Sequence, residues 1–249
     1  MNKKSLSDKK QSILDDLLKN NPSRGRITLE LPSKNRFYQK TDPGEPITLR
    51  PLTWEDERAL ADSSNDDDPS TTLLKRCIQN IDVGSLLDCD RSYILIKLRE
   101  ISIGSDYGVK ITCPSCGKIG EVDVDTKDFR KIDIPDEITD PRKITLPVCD
   151  VETEVRFPRA FEDKYTADPT DFIENTWRFV NSVGDHTDKE IIYSFIKELT
   201  LRDSQTLRSE ITGSYGIDTN FIYSCSECDK ETLLGVPIGP DFFLAISPK

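Results

Sequence analysis

The chain has 249 residues, 34 Lys and Arg against 45 Asp and Glu, a formal net charge of −11 and 35% hydrophobic residues. A chain of that length buries enough surface for one large or two modest domains without disulfide support, and so acidic a total disfavours phosphate binding over the whole surface. No apolar run approaches the roughly 18 residues that would span a bilayer, and Met1-Asn2-Lys3-Lys4 leads into no apolar signal-peptide core, so no membrane span is expected and the expected compartment is a cytosol.

Residues 1–26 carry seven Lys or Arg against three Asp, a net +4 that leaves −15 for the remainder of the −11 total. Leu6, Ile13, Leu14, Leu17 and Leu18 fall on one helical face, so this is a basic amphipathic tail; Asn20 to Gly25, with Pro22, reads as its linker. Because the lysines are mixed with Asp15 and Asp16, docking on a partner or on the protein's own body is favoured over lipid.

The alternation at 27–31 and 47–50, divided by the turn signal Asp42-Pro43-Gly44, predicts two paired strands. Thr53 is placed to cap an acidic helix opening at Trp54-Glu55-Asp56-Glu57, and an exposed acidic linker follows over 62–69, with too little ligand spacing for an EF-hand. Helical spacing recurs over 70–81 and 90–103. Strands are expected at 107–112 and 121–125, and a hairpin at 144–157 around Cys149-Asp150. Three amphipathic helices over 172–180, 191–199 and 201–211 then read as a helical insertion before strands at 220–224 and 233–238.

Cys113-Pro114-Ser115-Cys116 and Cys225-Ser226-Glu227-Cys228 sit in matching frames. Ile111-Thr112 and Tyr223-Ser224 lead in, and Lys118 and Lys230 stand two places after the second Cys. Four thiolates in two such knuckles suit one tetrahedral Zn²⁺, since each tight turn brings two sulfurs about 4 Å apart and the flanking strands hold the turns face to face. Gly117 and Asp229, at the same place in each turn, tolerate the left-handed backbone that closes it. The predicted metal ligands are therefore Cys113, Cys116, Cys225 and Cys228, in a closed shell that leaves no position for substrate or water. Apart from these two knuckles no internal repeat stands out.

Cys77, Cys89 and Cys149 read as small buried hydrophobes, because no His lies near to activate them. His186, the single histidine, falls in a polar loop and reads as a cap or a solvated side chain. Phosphate loops, dinucleotide fingerprints, His-Glu-x-x-His and Gly-x-Ser-x-Gly are all missing, so no enzyme is expected. The fold class is α+β, with antiparallel β-sheets, a zinc-ribbon-like unit built on four cysteines and a helical insertion. The expected division is a tail at 1–26, an α+β domain at 27–110, a ribbon-like β domain at 111–160 with 215–249, and the insertion at 161–214.

Four pieces in order carry a resemblance: a strand leading to Leu31-Pro32-Ser33, Leu49-Arg50-Pro51 before the acidic helix, the segment Leu95 to Gly104 with Leu98-Arg99 and Ser102-Ile103-Gly104, and Cys113-Pro114-Ser115-Cys116. Together they resemble the T4-like bacteriophage baseplate hub assembly protein family, well over 27–160 and loosely beyond. The resemblance implies a component of a contractile phage tail, made in the host bacterial cytoplasm and working in or on the virion baseplate hub, with other tail and baseplate proteins as partners. Two other readings compete with it. One is a zinc-ribbon nucleic-acid-binding or transcription module, which needs basic and aromatic residues on the ribbon; there Lys110, Lys118 and Lys230 are offset by Glu121, Asp123, Asp125, Glu227 and Glu231. The other is an enzyme built on Asp123 and Asp125, which share a strand face, though a solvated face explains that pair first.

Overall fold

A computed structural model describes residues 3–19, 25–39, 42, 45–61, 69–166, 168–236, 238 and 242–243, without the side chains of residues 3–8 and 61. It is an α+β protein of small antiparallel sheets. The tail forms α1 (Lys3–Leu17), whose apolar residues Ile13, Leu14 and Leu17 are 52%, 48% and 72% exposed.

A first core gathers around three short strands, β1 (Ile27–Thr28), β2 (Thr48–Leu49) and β3 (Ile78–Gln79), in the order β1-β2-β3. The helix expected over 70–81 stops early: α3 spans Pro69–Cys77, and Ile78 pairs with Leu49 as a third strand. Tertiary pairing overrides the helical spacing there. The acidic helix is α2 (Trp54–Ala61), but its entry differs from the expected cap. The Thr53 hydroxyl and N–H both donate to the Asp56 carboxylate, each at 2.8 Å, so Asp56 reaches back to hold the helix start. Arg50 adds two bonds to Asp56 and Arg76 a third, leaving a fully buried carboxylate between two cations.

The centre of this core is α4 (Asp88–Ser102), with Ile94, Leu95, Ile96 and Leu98 buried. Its first turn carries the buried Asp90, which accepts from the Ser33 N–H and the Tyr38 hydroxyl and so seats the loop after Leu31 on the helix. Near its other end Arg99 is buried between the rings of Tyr107 and Phe242 and donates to the carbonyls of Asp106 and Phe242. One side chain thus ties the start of the next strand to residue 242.

That strand, β4 (Asp106–Thr112), pairs with β5 (Ile119–Asp125), and far along the chain β11 (Asn220–Ser224) pairs with β12 (Glu231–Gly235). Val109, Ile111 and Tyr223 from these hairpins lie in the same core as α4, so the ribbon is continuous with the N-terminal body. A short pair the sequence did not show, β6 (Arg130–Ile132) with β10 (Gly216–Asp218), lies beside α4.

A second core is separate. The hairpin β7 (Arg142–Thr145) and β8 (Glu152–Val155) continues into β9 (Val180–Val183), with β8 in the middle. The sequence reading placed 180 at the end of a helix; in the structure α5 ends at Asn175 (Pro169–Asn175), a 3-10 turn follows, and the β-branched Val180 and Val183 turn inward as strand. With α6 (Lys189–Lys197) and α7 (Leu201–Thr212) they enclose Leu146, Val155, Phe179, Ile192, Leu207 and Ile211. Thus β9, from the segment after residue 161, supplies the hydrogen-bonding edge of β8, and the two share one sheet.

Candidate metal centre

Both knuckles close by the same backbone bonds. The Cys113 N–H donates to Lys118 O at 2.8 Å and Gly117 N–H to Cys113 O at 2.9 Å; Cys225 N–H donates to Lys230 O at 3.1 Å and Asp229 N–H to Cys225 O at 2.9 Å. Gly117 (φ 73°) and Asp229 (φ 51°) occupy the left-handed region, as their residue types allow. The strands β4, β5, β11 and β12 then aim the turns at each other. Gly120 makes that packing feasible, since a Cβ there would stand 2.6 Å from the hydroxyl of the buried Tyr223.

All four sulfurs lie within 4.8 Å of one another. Cys113 Sγ is 3.8 Å from Cys228 Sγ, and Cys116 Sγ is 3.7 Å from Cys225 Sγ. Metal–thiolate bonds of about 2.3 Å in a tetrahedron put sulfurs about 3.8 Å apart, so the donor set fits one thiophilic ion as it stands. The sulfurs are also prepared for negative charge. The N–H groups of Cys116 and Ser115 lower the Cys113 thiol, and those of Glu227 and Cys228 pull Cys225 down to about 6. Cys116 and Cys228 receive the N–H of Lys118 and Lys230, which lowers them, but burial and the neighbouring sulfurs outweigh this and push both up. A metal ion would resolve that crowding by holding all four as thiolates.

The rest of the described chain offers no comparable group. Among the described residues the four cysteines are the only cluster of three or more potential metal ligands. Cys77 is buried and its thiol is pushed up to about 11 by burial, and Cys89 is half-buried and pushed up likewise. Cys149, expected to be buried, is exposed at the tip of the β7–β8 turn. His186 is exposed in the turn after β9, exchanging backbone bonds with Val183; the cap of α6 is Asp188. Asp125 accepts the Lys127 N–H at 3.0 Å, a bond that lowers its carboxyl and closes the turn after β5. No helix among the described residues is long and apolar enough to cross a membrane.

The family model described as T4 bacteriophage base plate protein matches residues 25–243. The chain belongs to that family. Membership of it implies a structural role in a phage baseplate. No curated protein and no solved structure matches it significantly. The segments that carried the resemblance prove to be structural parts of this base plate family member: Arg50 feeds the buried Asp56, Ser33 is held by Asp90, and Arg99 secures residue 242. The family match begins after α1, so the basic helix lies outside the matched region.

Proposed function

We propose that this protein is a structural or assembly component of a contractile-tail baseplate hub, that it works by binding other baseplate proteins, and that it turns over no substrate. The family match over 25–243 is the observation that carries this reading. We assign Zn²⁺ to Cys113, Cys116, Cys225 and Cys228, on the sulfur spacing and the closed four-thiol shell. Bound there, zinc supplies a cross-link and no chemistry; this chain's own residues do the rest, the turn N–H groups holding the thiolates and Tyr223 over Gly120 seating one hairpin on the other. We place its synthesis in the host bacterial cytoplasm and its working position in the virion baseplate. The chain reads as a tail, a body with its ribbon at 27–132 and 214–243, and a second module at 142–212, a division supported by the two larger of three hydrophobic clusters, while the third, Leu87, Ile134 and Phe157, joins body and module.

The nucleic-acid reading has less support, because acidic residues offset the ribbon cations. Lys118 pairs with Glu227 at 3.0 Å and Lys110 stands opposite Glu121 in the ladder. The surfaces that suit protein partners are the apolar face of α1 and the exposed Ile191 and Tyr193 of α6. Co-expression with hub and tape-measure proteins of the same phage tests the proposal. A stable co-purifying complex is expected, weakened by Leu17→Asp or Tyr193→Asp with circular dichroism unchanged. A chain that stays alone with every tail component offered, or that binds DNA tightly at physiological salt, would overturn it.

A further inference from the structure

We infer that the β7–β8 hairpin is a third copy of the knuckle hairpin, in which Leu146 and the carboxylate of Asp203 stand where the first cysteine thiolate, a metal ligand on the zinc reading proposed above, stands in the other two. The turn geometry is shared. Leu146 N–H donates to Val151 O at 3.1 Å and Asp150 N–H to Leu146 O at 3.0 Å, the same two bonds that close 113–118 and 225–230. Asp150 takes φ 57° at the place of Gly117 and Asp229. Register agrees as well: the last ladder pair is Thr145 with Glu152, as it is Thr112 with Ile119 and Ser224 with Glu231.

The sequences then align without a gap. Residues 110–122 and 143–155 share Lys110 with Lys143, Ile111 with Ile144, Thr112 with Thr145, Pro114 with Pro147, Cys116 with Cys149, Glu121 with Glu154 and Val122 with Val155. Cys149 is thus the counterpart of the second ligand Cys, and Leu146 of the first. In the two knuckles the N–H groups of Ser115 and Glu227, third in each turn, point at the first Cys sulfur. The third residue of the β7–β8 turn is Val148, and its N–H donates at 2.8 Å to Asp203 Oδ1. Asp203 is fully buried, and its other oxygen accepts the Thr200 hydroxyl at 3.1 Å.

An amide oriented for an anionic sulfur has found an anionic oxygen from α7, while the side chain at 146 has become a core residue packed with Val155 and Phe179. The replacement is physically even: a buried N–H needs an acceptor, and a carboxylate meets that need without an ion. Among the described residues no potential metal cluster includes Cys149 or Asp203, and the bond from Val148 N–H to Asp203 holds the turn.

Cobalt(II) titration of the wild type and of Leu146→Cys, read by sulfur-to-cobalt charge-transfer absorption and metal content, tests the inference. The expected result is one additional ion per chain in the variant, because the turn then offers thiols at 146 and 149 beside Asp203. A variant with native circular dichroism and no additional ion would overturn it. The comparison is of gain over wild type, so a wild type without metal counts against the zinc assignment alone. Amide exchange keeps the inference testable if that variant does not fold: Asp203→Ala should speed exchange at Val148 by roughly tenfold or more while Ser115 and Glu227 keep their wild-type rates. Unchanged exchange at Val148 would also overturn it.

Discussion

Replacing Asp56 with Ala should be among the most damaging single changes in the body of this protein. The carboxylate is fully buried and accepts five hydrogen bonds, at 2.7 and 3.0 Å from Arg50, 2.6 Å from Arg76 and twice 2.8 Å from Thr53. Removing one partner of a buried ion pair costs about 3–5 kcal/mol, chiefly because the other charge stays desolvated. Arg76 keeps 40% of its side chain in solvent and rehydrates, whereas Arg50 keeps only 20%. The lower end, about 3 kcal/mol, follows, or roughly 6–12 °C in melting temperature for a protein of this size. Asp56→Asn preserves an acceptor and should lose about half as much.

The effect is pH-dependent with a definite sign. Burial alone would raise the Asp56 carboxyl, but the bonds from Arg50, Arg76 and Thr53 outweigh it and hold the group well below the usual carboxylate range. A group depressed in the folded state stabilises fully above its unfolded value of about 3.9 and loses that contribution as pH falls below it. Urea denaturation at low ionic strength should therefore show the gap between wild type and Asp56→Ala at pH 7 narrowing steadily below about pH 4. A gap under about 1 kcal/mol at pH 7 would mean that water screens the network, and a gap independent of pH would mean that lost packing, and not charge, explains the damage.

Metal content should fall to zero in Cys225→Ser, and chelation of the wild type should speed amide exchange at Ser115 and Glu227 while Val148, held by Asp203, stays protected; zinc-free native protein with an unchanged melt would refute the assignment. Gly120→Ala should cost about 1–3 kcal/mol by driving a methyl into the Tyr223 hydroxyl, and Gly120→Ala with Tyr223→Phe should recover part of that in a double-mutant cycle. A chain starting at Arg26 should stay soluble and keep its metal, since Ile13, Leu14 and Leu17 of α1 lie in solvent; aggregation of that chain would show that the helix is part of the core.

The clustering of the four cysteines was legible in the sequence because a Cys-x-x-Cys turn is a local object: two sulfurs, two N–H donors and one left-handed residue lie within six consecutive positions. The acidic helix, α4 and the amphipathic α6 and α7 were legible for the same reason, as spacing along a single stretch. Other features depended on residues far apart. Ile78 and Val180 carry helical surroundings, yet each became a strand because an edge from a distant segment, β2 or β8, had open hydrogen-bonding groups to satisfy. The cap at Thr53 inverted because Arg50 and Arg76 made Asp56 an anion worth burying. The stretch around Cys149 echoes 110–122 in sequence, but with Leu146 at the first ligand place it holds no Cys-x-x-Cys pair, and it is the shared turn bonds and register that relate it to the two knuckles. The acceptor of its third amide is an aspartate 57 positions beyond Leu146, and only the placement of α7 beside the β7–β8 turn brings that carboxylate to the amide.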